Sequence, residues 1–208
     1  SSHNPIIWNG IKFLTGEGLA PPPEQAAEIF DIHNRKAFTL ADVERLCVPQ
    51  SDPAAANAHV EASLALVDPQ AVGLKRFRVV LDSINGAGGV EGKMLLENLG
   101  CEIVHMNAEA NGRFAHVPEP LAENLTQLFE TVVTRHATVG FAQDPDADRL
   151  AIVDEKGTYI GEEYTLALAA RYVFAQNPGP AAANLSTSRM IDDVAARSCT
   201  LTLAQAAG

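Results

Sequence analysis

The chain has 208 residues, of which 47% are apolar and 20% charged, so it can bury a core and lacks the composition of a disordered segment. A formal net charge of −11 opposes nucleic acid or an anionic membrane as the main partner, while leaving room for a local basic pocket around an anionic metabolite. No apolar run of about 18 residues occurs, so no membrane span is expected. The opening SSHNPIIWNG has no basic region ahead of a long apolar stretch and does not read as a signal peptide. Cys47, Cys101 and Cys199 form no CxxC pair, which predicts buried free thiols in a reducing cytoplasm.

In chain order, residues 1–20 read as loop, short strand and turn. PPPEQAAEIFDIHNRKAF has the Pro-then-acid start of a helix, with Ala26, Ile29 and Phe30 as a partial apolar face. VPQSDPAAAN reads as a linker, and AAANAHVEASLALV as a helix presenting Val60, Leu64 and Val67. FRVVLDS is a buried strand, NGAGG (85–89) a glycine turn, and VEGKMLLENLG a helix ended by Gly100. CEIVHMN is a strand and VPEPLAENLTQLFETVVTRH a Pro-started helix. ATVGFAQ is a strand, LAIVDEKGTYI another strand and turn, and GEEYTLALAARYVF a helix with acids in its first turn. AQNPGPAAAN reads as a second linker, and NLSTSRMIDDVAARS opens a strand–turn–helix pattern.

Alternation of strand and helix at this spacing predicts an α/β fold with a mixed, largely parallel βαβ sheet. The α/β domain is placed at 53–175, flanked by partial domains of the same type at 1–52 and 176–208. The last 30 or so residues are too few for a core of their own. The chain is therefore expected to be a fragment of a longer protein.

The densest chemistry lies in VGFAQDPDADRLAIVDE, where Asp144, Asp146 and Asp148 alternate before Arg149. Carboxylates so close together repel one another unless a cation sits among them. In a turn, side chains at these offsets can converge, and three hard oxygen ligands suit Mg²⁺. The loop also leaves the end of a strand, where open α/β sheets place their sites.

Several alternatives fit part of this pattern. An EF-hand matches the first offsets and even Glu155, but Arg149 stands where the sharp turn needs glycine, and the flanks read as strands. A haloacid-dehalogenase-type phosphatase would use Asp144 as nucleophile but leaves Asp148 and Arg149 unexplained. A non-catalytic divalent-cation-binding module and a plain solvated acidic turn complete the set. NGAGG is not GxGxxG and reads as a tight strand-to-helix turn. His33, His59, His105, His116 and His136 lack ligand spacing and read as structural or surface residues. Trp8 is expected to pack the serine loop, and Tyr164 and Tyr172 to lie in the core or on its rim.

SSHNPIIWNGIK resembles the phosphoserine loop of the α-D-phosphohexomutases, and DPDADR resembles that family's metal loop, D-x-D-x-D-R. NGRFAHVPEPLAENL is similar to a segment of its second domain, and the PEP within it leans toward the glucosamine branch. The resemblance implies phosphorylation at Ser2 and Mg²⁺ held by Asp144, Asp146, Asp148 and the Ser2 phosphoryl group. It implies acid–base roles for Lys12 and His3, with Arg149 near the phosphoryl group. The implied enzyme is a cytoplasmic phosphomutase (isomerase class) that moves phosphate between the 1- and 6-hydroxyls of a hexose through a bisphosphorylated sugar. Its partners would be hexose phosphate and hexose bisphosphate. The family is built of four domains, so 1–52 would end the first, 53–175 would be the second, and the remainder would begin the third. The family's sugar-reading G-E-x-S-G-H loop does not occur in the chain, so the isolated fragment is expected to be inactive. The hexose and the oligomeric state are left open.

Overall fold

The computed structural model describes residues 7–8, 10–48, 50–52, 54–183, 186–197 and, for the backbone, 203–205. Ser1, Ser2, His3 and Cys199 lie outside the described residues.

β1 (Arg78–Asp82) is RVVLD, and its last four residues are buried. Such a run suits a strand covered on both faces. It pairs in parallel with β2 (Glu102–Met106) on one side and β3 (Val139–Gln143) on the other. β4 (Leu150–Asp154) and β5 (Tyr159–Gly161) add antiparallel, giving the order β2-β1-β3-β4-β5. The architecture is the expected mixed α/β fold with a largely parallel sheet.

Helices cover both faces because successive strand side chains point opposite ways. Val80, Ala142, Ala151 and Val153 form the core under α5 (Thr126–Thr134). Leu128 and Val132 of that helix are 0% exposed and lie four positions apart, on one helical face. Leu81 faces the other way, toward α4 (Gly89–Asn98), where a methyl at Gly92 would stand 3.2 Å from its Cδ2. α2 (Ala54–Leu64) packs outside α4 and buries Val60. From β1 the chain turns through α4 to β2, then crosses back to β3 on the opposite side of β1. β1 and β3 therefore flank the point where strand order reverses, which is where open α/β sheets form a crevice at their carboxyl ends.

Several local expectations are corrected. No strand forms among the described residues before α1 (Pro23–Asn34), and Phe30 on the expected apolar face of α1 is 67% exposed. α3 (Pro69–Gly73) was not anticipated, although Asp68 caps it by accepting hydrogen bonds from the Gln70 and Ala71 N–H groups. The helix expected from Val117 begins only at Thr126, after a 3₁₀ turn at Ala122–Asn124. Upstream carbonyls are bound elsewhere: Tyr159 Oη donates to Pro120 O at 2.8 Å, and Asn124 Nδ2 donates to Glu119 O at 2.8 Å.

α6 (Glu163–Gln176) forms as expected, but the second linker contains β6 (Ala181–Ala183), which pairs in parallel with β7 (Leu203–Gln205). α7 (Met190–Arg197) packs on α6 through buried Ile191 and Ala195. Trp8 is 63% exposed rather than packed, and Cys47 is exposed, contrary to the buried thiol expected there. Among the described residues no helix is long and apolar enough to cross a membrane.

Candidate metal centre

The acidic loop joins β3 to β4 as a hairpin, closing from Gln143 to its partner Leu150. Ala147 N–H donates to Asp144 O at 3.0 Å, and Ala147 adopts a left-handed φ of 59°. Arg149 N–H donates to Asp144 Oδ1 at 3.0 Å, so the inner aspartate folds the loop around itself. One carboxylate oxygen from each of Asp144, Asp146 and Asp148 lies within 4.8 Å of the others.

Asp144 is 0% exposed, and its Oδ2 is buried with no hydrogen-bond partner. Burial first, then the charges of Asp146 and Asp148, push its carboxyl up to about 6, while the Arg149 N–H opposes them. An orphaned buried oxygen and two exposed carboxylates converge at one spot. That donor set fits a hard divalent cation, which would supply positive charge beside the buried Asp144 oxygen.

Of two nearby cations, Lys12 faces the cluster and Arg149 faces Glu162. Lys12 Nζ stands 3.7 Å from Asp146 Oδ2 and 4.0 Å from Asp148 Oδ2, and its side chain is 80% exposed rather than desolvated. Arg149 Nη1 lies 4.0 Å from Glu162 Oε1. Beyond Arg149 opens a cavity of about 430 Å³ bordered by Asp148, Glu162, Thr165, Ser188 and Met190.

Two buried polar networks at the same sheet edge were read from sequence as unremarkable histidines. His116 Nε2 meets Asp82 Oδ2 at 3.1 Å, and His116 Nδ1 meets Val117 O at 2.9 Å. Both partners are acceptors, so the doubly protonated ring satisfies both contacts. Burial lowers the His116 pKa, but the hydrogen bonds to Asp82 and Val117 outweigh it and hold the ring above the ordinary histidine value. Burial likewise raises Asp82, and hydrogen bonds from His116, Asn107 and the Ile84 N–H bring it below the usual carboxylate value.

In the second network Ser83 Oγ donates to Gln143 Oε1 at 2.8 Å and meets His105 Nε2 at 2.9 Å. With the hydroxyl proton directed at Gln143, Ser83 Oγ accepts from the Nε2-protonated tautomer of His105. Burial, then the charge of Lys93, lowers the His105 pKa. The sequence signal for both networks was the polar pair Asp82–Ser83 ending an otherwise apolar strand.

Residues 57–157 match the family model described as phosphoglucomutase/phosphomannomutase, alpha/beta/alpha domain II. A Methanopyrus kandleri protein named "Probable phosphoglucosamine mutase" is 37% identical over 196 residues, covering 93% of this chain and 42% of that protein. A Thermococcus kodakarensis phosphoglucomutase/phosphomannomutase is 37% identical over 205 residues, covering 95% of this chain and 43% of its own length. The crystal structure of a phosphoglucomutase/phosphomannomutase family protein from Burkholderia thailandensis superposes with a TM-score of 0.76 at 26% identity, over 99% of this chain and 44% of that one. The chain thus spans less than half the length of the relatives it matches. By sequence and by fold together, it belongs to the phosphohexomutase family.

Proposed function

We propose that this chain carries the phosphoryl-transfer centre of an Mg²⁺-dependent phosphohexomutase that shifts phosphate between the 1- and 6-hydroxyls of a hexose. The observation that carries the reading is the inner carboxylate Asp144, buried with Oδ2 unpartnered and converging with Asp146 and Asp148. Residues 1–52, 53–175 and 176–208 would be the end of the first domain, the second domain and the start of the third.

The phosphoserine would be Ser2, which lies outside the described residues together with His3. In the first half-reaction the Ser2 Oγ–P bond breaks as a sugar hydroxyl forms its own O–P bond, yielding a bisphosphorylated sugar. After the sugar turns over, the other phosphoryl group returns to Ser2 Oγ and the isomeric monophosphate leaves. Transfer of this kind asks for positioning and charge neutralisation more than for covalent chemistry. Asp144, Asp146 and Asp148 would hold the cation, whose charge neutralises phosphoryl oxygens and improves serine as a leaving group. Lys12, already beside Asp146 and Asp148, would act at the sugar hydroxyl, as general base in its neutral amine form and as general acid in its ammonium form. His3 would share that role. Arg149 can fork onto two phosphoryl oxygens from the rim of its cavity.

A phosphatase using Asp144 as nucleophile leaves the convergence of Asp148 with Asp144 and Asp146 unexplained. Strands on both sides of the loop argue against an EF-hand. The test is mass spectrometry of the full-length protein incubated with hexose bisphosphate. Phosphate on Ser2, lost in Ser2→Ala, is expected; phosphate on Asp144, or label retained after Ser2→Ala, overturns the assignment.

A further inference from the structure

We propose that the Gly86–Ala87–Gly88 turn is a positioning element for the aspartate loop, setting the spacing of Asp144, Asp146 and Asp148 by direct contact. The proposal rests on the cation reading of that loop and adds the part of the chain that holds it in shape.

β1 and β3 are adjacent and parallel, so the turns leaving their carboxyl ends abut. The turn after β1 is bent by two consecutive left-handed residues, Ile84 at φ 48° and Asn85 at φ 58°. Ile84 is also buried and β-branched, a combination that costs energy and persists only where its surroundings enforce it. They do so here. Ile84 N–H donates to Asp82 Oδ1 at 3.0 Å, Asn85 N–H to Asn107 O at 2.7 Å, and Gly86 N–H to Ser83 O at 2.7 Å.

The bend delivers the glycine turn onto the acidic loop. Ala87 N–H donates to Pro145 O at 2.8 Å. A methyl on Gly86 would stand 2.6 Å from Pro145 O and 2.8 Å from Pro145 Cα. A methyl on Gly88 would overlap Ala147 Cβ. Neither glycine has a positive φ, so what excludes alanine is space: Pro145 at Gly86, and at Gly88 both Ala147 and the end of the Gln143 side chain, whose Nε2 would stand 2.8 Å from the added methyl. Pro145 lies between Asp144 and Asp146, and Ala147 between Asp146 and Asp148. Each contact therefore presses on the backbone link between two carboxylates.

The experiment is Mn²⁺ titration of the full chain followed by electron paramagnetic resonance of the free ion, with circular dichroism to verify folding. Wild type is expected to bind, and Gly86→Ala and Gly88→Ala to bind about 10–100-fold more weakly, as when an outer support of a metal site is lost. The double variant Gly88→Ala/Ala147→Gly removes the overlapped carbon and leaves only the end of the Gln143 side chain to give way, and glycine suits the left-handed position 147, so it should recover most of the affinity. Gly86→Ala carries the same test if Gly88→Ala does not fold. Wild-type affinity in both single variants overturns the proposal, as does a loss that the double variant does not recover. A wild-type chain that fails to bind Mn²⁺ overturns the cation reading itself, a distinguishable result.

Discussion

Lys12 Nζ reaches within 3.7 Å of Asp146 Oδ2, joining a segment near the start of the chain to the loop between β3 and β4. An ion pair this exposed contributes little stability, on the order of 0–1 kcal/mol. Its significance is where it places an amine. Lys12→Ala should lower kcat by about 10²–10⁴ in the full-length protein, the usual worth of one acid–base group. Divalent-cation affinity should hold or tighten, because a competing cation has gone. Parallel loss of Mn²⁺ binding and kcat would instead assign Lys12 to assembly of the site.

Asp146 is partly exposed, so its replacement by asparagine should leave the fold intact while removing one charge from the cluster. The Mg²⁺ concentration for half-maximal phosphoryl transfer should rise by more than about tenfold, beyond the lower end of what losing an outer support costs. An unchanged Mg²⁺ requirement counts against the loop as the metal centre.

The His116–Asp82 pair predicts a pH-dependent contribution to stability. The folded pKa of His116 is raised, so its contribution is complete below about 6.5 and fades as pH rises through the folded value. The folded pKa of Asp82 is lowered, so its contribution is complete above about 3.9 and fades as pH falls through the folded value. The pair is therefore worth most between those limits. His116→Ala should cost about 1.5–3 kcal/mol there, typical of a hydrogen bond to a charged group. The cost should shrink in alkaline buffer. Urea melts of both proteins on either side of the histidine range check this, and a pH-independent difference would refute it.

Leu128 is fully buried in the cluster with Val80, Ala142 and Val153. Leu128→Ala should destabilise the fold by about 2–5 kcal/mol through lost transfer energy and the cavity left behind. Thermal or denaturant unfolding measures it; a change below about 1 kcal/mol would mean that the core collapses around the gap.

The α/β alternation was legible because each element writes its own pattern: Val79, Val80 and Leu81 form an unbroken apolar run in β1, and α5 repeats its buried residues four apart. Gly100 ends α4 with the left-handed φ of 71° that its glycine implies. The three aspartates were visible as a cluster of like charges that needed explaining, with Arg149 beside them. The start of α5 was misjudged because Pro120 and Glu119 give their carbonyls to Tyr159 and Asn124 instead of to a helix.

By itself, the sequence made legible the strand–helix alternation around the sheet and the acidic cluster at 144–148, since both depend on neighbours a few positions apart. Only the tertiary structure decided that Asp144 is the enclosed member of its trio, that His116 pairs with Asp82, and that a glycine turn lies against the acidic loop. Those properties arise where the ends of separate strands meet. Burial, charge pairing and contact there depend on which strands the sheet sets side by side, and no local pattern encodes that arrangement.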